Sequence, residues 1–394
     1  MSTSKRDRPW ARTGTLFVGH AVNDGFGGFL APLLPLLIQR LDLSLALAGF
    51  LGSIRILTNS LLQPSLGHWI DRTPRPSLIV IGPILSVVAM SLLGVAPSFA
   101  ALVVLLLVAG VGTALFHPAA ASLVTSGRPA RAGFMMAFFS SGGTLGAAFA
   151  PVVIVALTGG SLLGRMPWLL IPGLAAIALA ALQLRRLMPP SPADGASQAE
   201  ACPLPRRLAV LWTAIVLAST GSTAFMTFLA VLVTERGGSP WIAGAALSVF
   251  LVAGAVTEFL AGNLSDRVGR KPVMIGTLVL ATPFLLGFLH SSAGFLLPFA
   301  ALGGAFSLAY SPIGTVAAHE CVPGRRGLVS GLVMGLAWGV GAAALTPIGW
   351  LADRYGLVPV MRCVAFLPLA AAVLLLFYRE PPRCSLKADD ESVA

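Results

Sequence analysis

Charged residues are scarce in this sequence: only 10% of its 394 residues are Asp, Glu, Lys or Arg. Hydrophobic residues make up 56% of the chain, and the mean hydropathy is +0.87. A soluble domain usually carries about 25% charged residues. The scarcity of charge therefore excludes a soluble globular protein and predicts an integral membrane protein.

The sequence also lacks the motifs of enzymes and metal proteins. Its four cysteines show no metal-ligand spacing, which argues against a disulfide framework or a zinc site. It has no Walker loop, so ATP is not the expected energy source, and no Ser/His/Asp set stands at a sensible spacing. We therefore expect no enzymatic activity, no cofactor and no bound metal.

Long hydrophobic runs dominate the chain, and about 20 apolar residues suffice for a helix to cross a bilayer. The first run is longer than a signal-peptide core of about 7 to 15 residues, so we treat it as a helix. The pattern predicts an all-α integral membrane protein with 12 transmembrane helices. The runs lie at about 14–38, 45–66, 77–96, 99–124, 132–157, 167–187, 207–234, 241–263, 272–291, 294–318, 327–350 and 357–378.

A polar stretch divides these runs six and six. Residues 188–206 cannot span a membrane because they are polar and rich in proline. We therefore expect an N-terminal six-helix bundle at 1–187, a cytoplasmic linker at 188–206, and a C-terminal six-helix bundle with a short cytoplasmic tail at 207–394.

Lysine and arginine are distributed unevenly between the two predicted sides of the membrane. If the N-terminus is cytoplasmic, 20 of the 26 basic residues fall in cytoplasmic segments, five fall outside, and Arg55 lies within a helix. Basic residues accumulate on the cytoplasmic side, so we expect both termini there, in the cell inner (plasma) membrane. Contact with anionic lipid accounts for the net charge of +11, and no nucleic-acid partner is expected.

The two halves repeat each other at an offset of about 195 residues. The sequence GHWIDRTPRP follows the second predicted helix and GNLSDRVGRK follows the eighth, with Asp71 and Asp266 at matching positions. Phe-His-Pro at 116–118 likewise matches Tyr-Ser-Pro at 310–312. Internal repeats are typical of transporters and predict two pseudo-symmetric six-helix bundles.

Ionisable residues inside the apolar runs are the first candidates for function, because charge is costly to place in hydrocarbon. His20 and Asp24 lie four residues apart in the first run, within GHAVND, so they share one helix face. A buried polar pair satisfied by neighbouring helices is the alternative. We interpret the two residues as a proton-handling pair in a transport pathway.

Arg55 lies near the centre of the second predicted helix, and Asn59 follows one turn later on the same face. A guanidinium keeps its charge, so it needs water, an anion or a carboxylate. We expect Asp24 as its partner, since both residues lie roughly 15 Å from their helix ends. Contact with Arg55 favours the ionised carboxylate and a dry cavity favours the protonated one. A static anion-binding or structural Arg55 is the alternative.

Further residues are predicted to relay protons or to line the cavity. We expect His117 at the depth of His20, where its imidazole can relay protons; a helix-to-helix hydrogen bond is the alternative. The counterpart of Asp24 in the other half is the uncharged Ser219, so we expect proton coupling in the N-terminal half. The predicted substrate cavity contains Asn23, Asn59, Phe116, Phe225, Met226 and Tyr310.

The repeated loops predict a cytoplasmic gate. An Asp at a helix end accepts hydrogen bonds from arginine side chains and from backbone N–H groups of a neighbouring helix. The alternative is that the basic residues only keep these loops on the cytoplasmic side. The predicted gate residues are Asp71, Arg72, Glu258, Asp266, Arg267 and Arg270.

These motifs together resemble the major facilitator superfamily, whose loop signature Gly-x-x-x-Asp-Arg-x-Gly-Arg-Lys is matched by GNLSDRVGRK and, in degenerate form, by GHWIDRTPRP. More narrowly, GHAVND, QPSLGHWIDRTPRP, FHP, GGTLGAAFAP and PGRRGLVSGL resemble the fosmidomycin resistance subfamily of drug exporters. Ala119 stands where that subfamily usually has Glu after FHP. The resemblance covers nearly the whole chain and implies the fold and the transport function of the superfamily.

We therefore predict a secondary active transporter: a proton-coupled antiporter that exports a small polar or anionic organic compound or drug by alternating access. A proton symporter importing an organic acid or similar metabolite is the alternative, and a non-transporting membrane receptor is a remote one. The expected partners are a small-molecule substrate, protons and the lipid bilayer, and the expected state is a monomer.

Overall fold

The computed structural model describes residues 9–72, 77–125, 132–159, 163–187, 206–292, 294–322, 329 and 331–380. These residues form helices joined by short turns. Within this described part, twelve helical stretches are long and apolar enough to cross a membrane, and we refer to them as spans 1 to 12. The prediction of an all-α membrane protein with 12 transmembrane helices is confirmed.

Spans 1 to 6 form the N-terminal bundle. Span 1 is interrupted after Gly27 and resumes as a regular helix at Leu30. It stops at Asp42, whose left-handed backbone conformation cannot continue a helix. The helices of this bundle are Pro9–Gly27 with Leu30–Leu41, Leu45–Arg72, Leu78–Leu92 with the 3₁₀ turn Leu93–Val95, Phe99–Thr125, Ala132–Thr158, and the 3₁₀ segment Leu163–Leu169 with Leu170–Leu187.

Spans 7 to 12 form the C-terminal bundle. Span 8 starts at Pro240, and the Oγ of Ser239 accepts a hydrogen bond from the backbone N–H of Ile242, which caps the helix. Span 11 starts with a π-helical stretch. The helices of this bundle are Arg206–Glu235, Pro240–Val268, Arg270–His290, Leu296–Leu308 with Tyr310–Cys321, Gly331–Leu336 with Ala337–Ala343 and Leu345–Tyr355, and Leu357–Val364 with Leu367–Leu375.

The predicted linker between the bundles falls almost entirely on residues that the structure does not describe. Residues 188–205 of the predicted linker lie outside the described residues. The first helix of the C-terminal bundle begins at Arg206, one residue before the predicted boundary. The division into residues 1–187, 188–206 and 207–394 stays a prediction.

The outer surface of the helices is apolar. Trp168, Ile171, Phe259 and Phe377 are each at least 64% exposed. Large exposed side chains of this kind are unfavourable in water, whereas hydrocarbon accommodates them. The chain is a multi-pass membrane protein, and these side chains face the lipid.

Glycines bring the two bundles into backbone contact at the end of the molecule opposite to the start of span 1 at Pro9. Span 2 begins there and span 11 ends there. A Cβ at Gly49 would lie 2.7 Å from the carbonyl carbon of Leu345, and a Cβ at Gly349 would lie 2.6 Å from that of Leu45. Any larger residue at these two positions would push the bundles apart at this end.

An aspartate also joins the bundles at this end. The carboxylate of Asp353, in the last turn of span 11, accepts hydrogen bonds from the backbone N–H groups of Leu45 and Ala46, at 2.6 and 2.8 Å. These N–H groups belong to the first turn of span 2 and have no partner within their own helix. The C-terminal bundle therefore supplies the N-terminal cap of a helix in the other bundle.

Candidate functional site

Asp24 lies just before the interruption of span 1 and faces a cavity between the two bundles. Its side chain is 29% exposed. The cavity has a volume of about 280 Å³, close to the lower end of the range for small-molecule pockets, roughly 300–1,000 Å³. Its polar lining includes Asp24, Arg55, Asn59 and His117 from the N-terminal bundle and Thr227 and Trp338 from the C-terminal bundle.

Three side chains hold the Asp24 carboxylate. Its Oδ2 lies 3.1 Å from Nε2 of His20, one helix turn earlier. Its Oδ1 lies 3.5 Å from Nε2 of His117 on span 4 and accepts a 2.8 Å hydrogen bond from Nδ2 of Asn23. The structure thus brings His20, Asp24 and His117 together, and we call these three residues the His-Asp-His triad.

Backbone carbonyl groups orient both imidazoles of the triad. Nδ1 of His20 donates to the carbonyl oxygen of Phe139 on span 5, at 2.9 Å, and the imidazole stacks on the Phe139 ring with the centroids 4.3 Å apart. Nδ1 of His117 donates to the carbonyl oxygen of Thr113, one turn earlier on span 4, at 3.0 Å. The two Nε2 atoms face each other at 3.0 Å.

Asn23 positions the carboxylate and does not line the cavity as predicted. Its side chain is completely buried. Oγ of Ser86 on span 3 donates to its Oδ1 at 2.9 Å, so the amide nitrogen is turned towards Asp24. A donor fixed in this way favours the ionised carboxylate. The sequence analysis missed Ser86 because nothing in the spacing links it to Asn23.

Three further residues of the predicted cavity, besides Asn23, do not line it in the structure. Asn59 and Met226 line the cavity as predicted. Phe116, Phe225 and Tyr310 are completely buried and pack between helices instead. Phe116 and Phe225 directly precede the cavity residues His117 and Met226. Successive residues on an α-helix point about 100° apart, so these two rings face the interior of their own bundle.

Arg55 lines the same cavity from span 2, and its guanidinium approaches span 1. A Cβ at Gly27 would lie 3.1 Å from its Nη1. In the part of the chain that the structure describes, no carboxylate oxygen lies within 4 Å of the Arg55 nitrogens. The expected ion pair with Asp24 is therefore absent in this conformation, in which Asp24 lies against the two histidines.

Glycines of span 5 leave the space that the triad occupies. A Cβ at Gly143 would collide with Nε2 of His20 and lie 2.7 Å from Oδ2 of Asp24. A Cβ at Gly146 would lie 2.8 Å from the carbonyl carbon of Ala21. Small residues of this kind let transmembrane helices approach closely.

Two predicted gate residues form an ion pair within the C-terminal bundle. Asp266 accepts a hydrogen bond from Nη1 of Arg270, at the junction of spans 8 and 9. Arg270 also binds Oγ of Ser265 at 2.7 Å, and its Nε lies 3.2 Å from the Glu320 carboxylate of span 10. Sequence analysis missed Glu320, which lies 50 residues from Arg270 in the chain.

Among the described side chains, neither Arg267 nor Glu258 forms a hydrogen bond or ion pair with Asp266 or Arg270. Arg267 is exposed. Glu258 lies on span 8 and does not line the cavity. The side chains of Asp71 and Arg72 lie outside the described part. A gating role for these residues stays a prediction.

Twelve spans in two bundles around a central polar cavity define a secondary transporter. The sequence identifies its family. The chain belongs to the Major Facilitator Superfamily, whose family model matches residues 16–214 and 211–392. This finding confirms the predicted family and the predicted arrangement in two halves.

Two relatives match almost the whole chain. The fosmidomycin resistance protein of Escherichia coli (strain K12) is 29% identical over 379 residues, which cover 93% of each chain. The uncharacterized MFS-type transporter YfnC of Bacillus subtilis (strain 168) is 28% identical over 370 residues, which cover 91% of this chain and 90% of the relative. The predicted resemblance to the fosmidomycin resistance subfamily is confirmed.

Solved structures show the same fold. A bacterial homologue of the human lysosomal transporter Spinster, in an inward-facing and occupied conformation, has a TM-score of 0.79 at 16% identity and covers 92% of this chain and 95% of that chain. The same homologue in an inward-facing and unoccupied conformation has a TM-score of 0.77 at 17% identity and covers 97% and 100%.

Proposed function

We propose that the protein is a proton-coupled antiporter that exports a small polar or anionic organic compound. The observation that carries this proposal is the His-Asp-His triad: three titratable side chains in contact with one another at the edge of a cavity between two bundles. Ionisable groups inside a membrane are costly and are typical of proton and substrate pathways. Imidazole and carboxylate groups together bind and release a proton near neutral pH.

Arg55 and the triad define the chemistry of a fitting compound. Among the described residues no carboxylate oxygen lies within 4 Å of the Arg55 guanidinium, which can bind an anionic group through two parallel hydrogen bonds. Asp24 and His117 offer acceptor atoms for a hydrogen-bond donor of the same compound. That donor and the coupling proton compete for the same lone pairs, and such competition links the release of one to the binding of the other.

The direction of transport is supported by the name of one relative. The fosmidomycin resistance protein is 29% identical to this chain along 93% of its length. A cell becomes resistant to a toxic compound when a membrane transporter expels it. From this similarity over 93% of both chains we infer that the present protein also exports its substrate.

We place the protein in the cell inner membrane with both termini in the cytoplasm, because lysine and arginine accumulate on that side. In this orientation the end closed by Gly49, Gly349 and Asp353 faces outwards. The conformation is then the one that receives a compound from the cytoplasm. The cavity is enclosed by a single chain, so we propose that the monomer transports.

Proton-driven uptake of an organic acid is the second candidate function. The charges of Arg55 and the triad favour it for an acid that has no hydrogen-bond donor. Each proton bound by the triad removes negative charge from the cavity that Arg55 also lines. An acid without a hydrogen-bond donor would bind more tightly after protonation, because less negative charge repels it. Anion and proton would then travel together as in a symporter.

Proteoliposomes distinguish these functions. A resistance screen of cells overproducing the protein, over a panel of small anionic and polar antibiotics, first identifies a transported compound. Purified protein is then tested for uptake of that compound under imposed pH gradients of both signs. An antiporter accumulates the compound in vesicles that are acidic inside, whereas a symporter accumulates it in vesicles that are acidic outside. Equal uptake under both gradients would exclude proton coupling.

A further inference from the structure

The hydrogen-bond pattern around the two histidines fixes where their protons lie. A carbonyl oxygen can only accept a hydrogen bond, so Nδ1 of His20, 2.9 Å from the Phe139 oxygen, must carry a hydrogen. Nδ1 of His117, 3.0 Å from the Thr113 oxygen, must also carry one. A neutral imidazole has only one N–H group, so Nε2 of each neutral ring is a bare acceptor.

With the hydrogens on Nδ1, the Nε2 atoms of His20 and His117 and the Asp24 carboxylate are all hydrogen-bond acceptors, and no donor lies between them. The Nε2 atoms of His20 and His117 face each other at 3.0 Å, and the Asp24 oxygens lie 3.1 and 3.5 Å from them. With both rings neutral and the carboxylate ionised, these atoms offer only lone pairs to one another. One additional proton turns the contact into an N–H donor facing an acceptor. A second additional proton would put a hydrogen on both Nε2 atoms, which lie only 3.0 Å apart, and would leave Asp24 as the only acceptor for both.

We propose that the coupling proton is held between the Nε2 atoms of His20 and His117, and that Asp24 stays ionised as the counter-charge of this proton. This inference rests on the proposed function and names the groups that carry its proton. When the proton binds, one Nε2 gains an N–H bond and the pair becomes an imidazolium. When the proton leaves, it passes to water in the cavity, which His117 lines.

The charges around the pair agree with a single bound proton. Span 1 contributes the Asp24 carboxylate, and span 2 contributes the guanidinium of Arg55. The neighbouring groups from span 3 and span 5 are the Ser86 hydroxyl and the Phe139 carbonyl, which are neutral. Among the described residues the C-terminal bundle adds only uncharged side chains to the cavity. The charges of Asp24 and Arg55 balance, so one proton on the pair leaves the site with a single net positive charge, and a second proton would double that charge beside Arg55.

The test is nuclear magnetic resonance of the full-length protein in lipid nanodiscs with ¹⁵N-labelled histidine. A proton shared between two ring nitrogens produces a scalar coupling between the two Nε2 nuclei across the hydrogen bond. We expect this coupling in the wild type at the pH of coupled transport, and we expect it to disappear when alkaline pH removes the proton. A spectrum without any coupling between histidine nitrogens at that pH would overturn the inference.

His290 provides the matched control. Its Nδ1 donates to the carbonyl oxygen of Leu286, one turn earlier on its own helix, at 2.8 Å, as His117 does to Thr113. His290 is exposed at the end of span 9 and does not line the cavity. We expect the substitution His117→Gln to abolish the coupling between nitrogens and His290→Gln to leave it unchanged. Size-exclusion profiles confirm that both variants are folded.

Infrared difference spectroscopy tests the state of Asp24 separately. A protonated Asp24 would give a carboxyl band that the substitution Asp24→Asn removes. We expect the proton-bound protein to lack such a band. Such a band would place the proton on the carboxylate and overturn the inference, while proton-driven flux in proteoliposomes would still support the proposed function. Conversely, coupling between the two nitrogens without gradient-driven flux would support the proton site and overturn the proposed function.

Discussion

The two bundles share one fold but carry different side chains at equivalent positions. At the offset of about 195 residues, every ionisable residue of the site in the N-terminal bundle matches an apolar or hydroxyl residue in the C-terminal bundle. The matching pairs are His20 and Ile215, Asp24 and Ser219, Arg55 and Phe250, and His117 and Ser311. One bundle therefore holds the charges, and the other completes the wall of the cavity.

The equivalent residues of the C-terminal bundle are used to hold helices together. Oγ of Ser219 donates to the carbonyl oxygen of Ala337 on span 11, at 3.1 Å. Nearby, Oγ of Ser222 donates to the carbonyl oxygen of Ser307 on span 10, at 2.8 Å. Because the cavity lies between the bundles, a charged site in one of them is within reach of a compound from either side. The duplicated fold does not need a duplicated site.

Among equivalent substitutions in the two bundles, we expect the largest difference in transport between Asp24→Asn and Ser219→Ala. Loss of the carboxylate leaves the imidazolium pair without its counter-charge, and breaking a buried charged pair costs about 3–5 kcal/mol. We expect gradient-driven flux in proteoliposomes to fall by more than about 100-fold. The equivalent substitution Ser219→Ala removes one hydroxyl-to-backbone bond and is expected to retain flux. Comparable losses in the two variants would contradict the assignment of coupling to one half.

Gly143→Ala tests the space around the triad. Its Cβ would collide with His20 and crowd the Asp24 carboxylate, and overpacking costs about 1–3 kcal/mol. We expect coupled flux to fall by about 10- to 100-fold, with the protein still inserted in the membrane. Gly276→Ala is the matched control in the other bundle, where a Cβ meets no atom within 4 Å. Normal flux in Gly143→Ala would show that the triad tolerates displacement.

Arg55→Lys separates charge from geometry in the N-terminal half. Lysine keeps the positive charge but loses the planar fork that binds an anionic group through two bonds. A lost hydrogen bond to a charged group is worth about 1.5–3 kcal/mol, so we expect the KM for an anionic compound to rise by about tenfold or more. The maximal rate should change less, because the triad is intact. An unchanged KM would remove Arg55 from substrate binding.

The smallest effect is expected for Asp353→Ala, which removes the cap between the bundles. A helix N-cap contributes about 1 kcal/mol, so the population of the state closed at this end should fall by about fivefold relative to the open state. Distances between spin labels at this end of spans 2 and 11 measure the shift. Ser239→Ala removes a cap within one bundle. It is expected to lower stability without shifting the labels.

Much of the fold follows from the sequence because the bilayer imposes a simple rule on it. Each crossing helix needs an apolar run of about 20 residues, and twelve such runs are visible. The repeated loops around Asp71 and Asp266 reveal the two halves. The interruption of span 1 after Gly27 was not predicted, although Pro32 follows it closely in the sequence and has no N–H group to donate to the carbonyl of residue 28.

The site was predictable only where helix periodicity applies. His20 and Asp24 stand one turn apart, so their contact could be expected from spacing alone. The contact of His117 with Asp24 joins residues on different spans and depends on how spans 1 and 4 pack. Asp353 escaped notice because its partners lie more than 300 residues away in the chain, at 45 and 46.

The backbone contact at Gly49 and Gly349 offers a means of arresting the transport cycle. The obstacle that a bulky side chain would meet there is main chain, which no change of rotamer can move aside. A tryptophan substituted at Gly49 would act as a wedge and prevent that end from shutting. Such a variant would provide a homogeneous sample of the conformation that is open at this end, for structure determination or for raising conformation-specific antibodies.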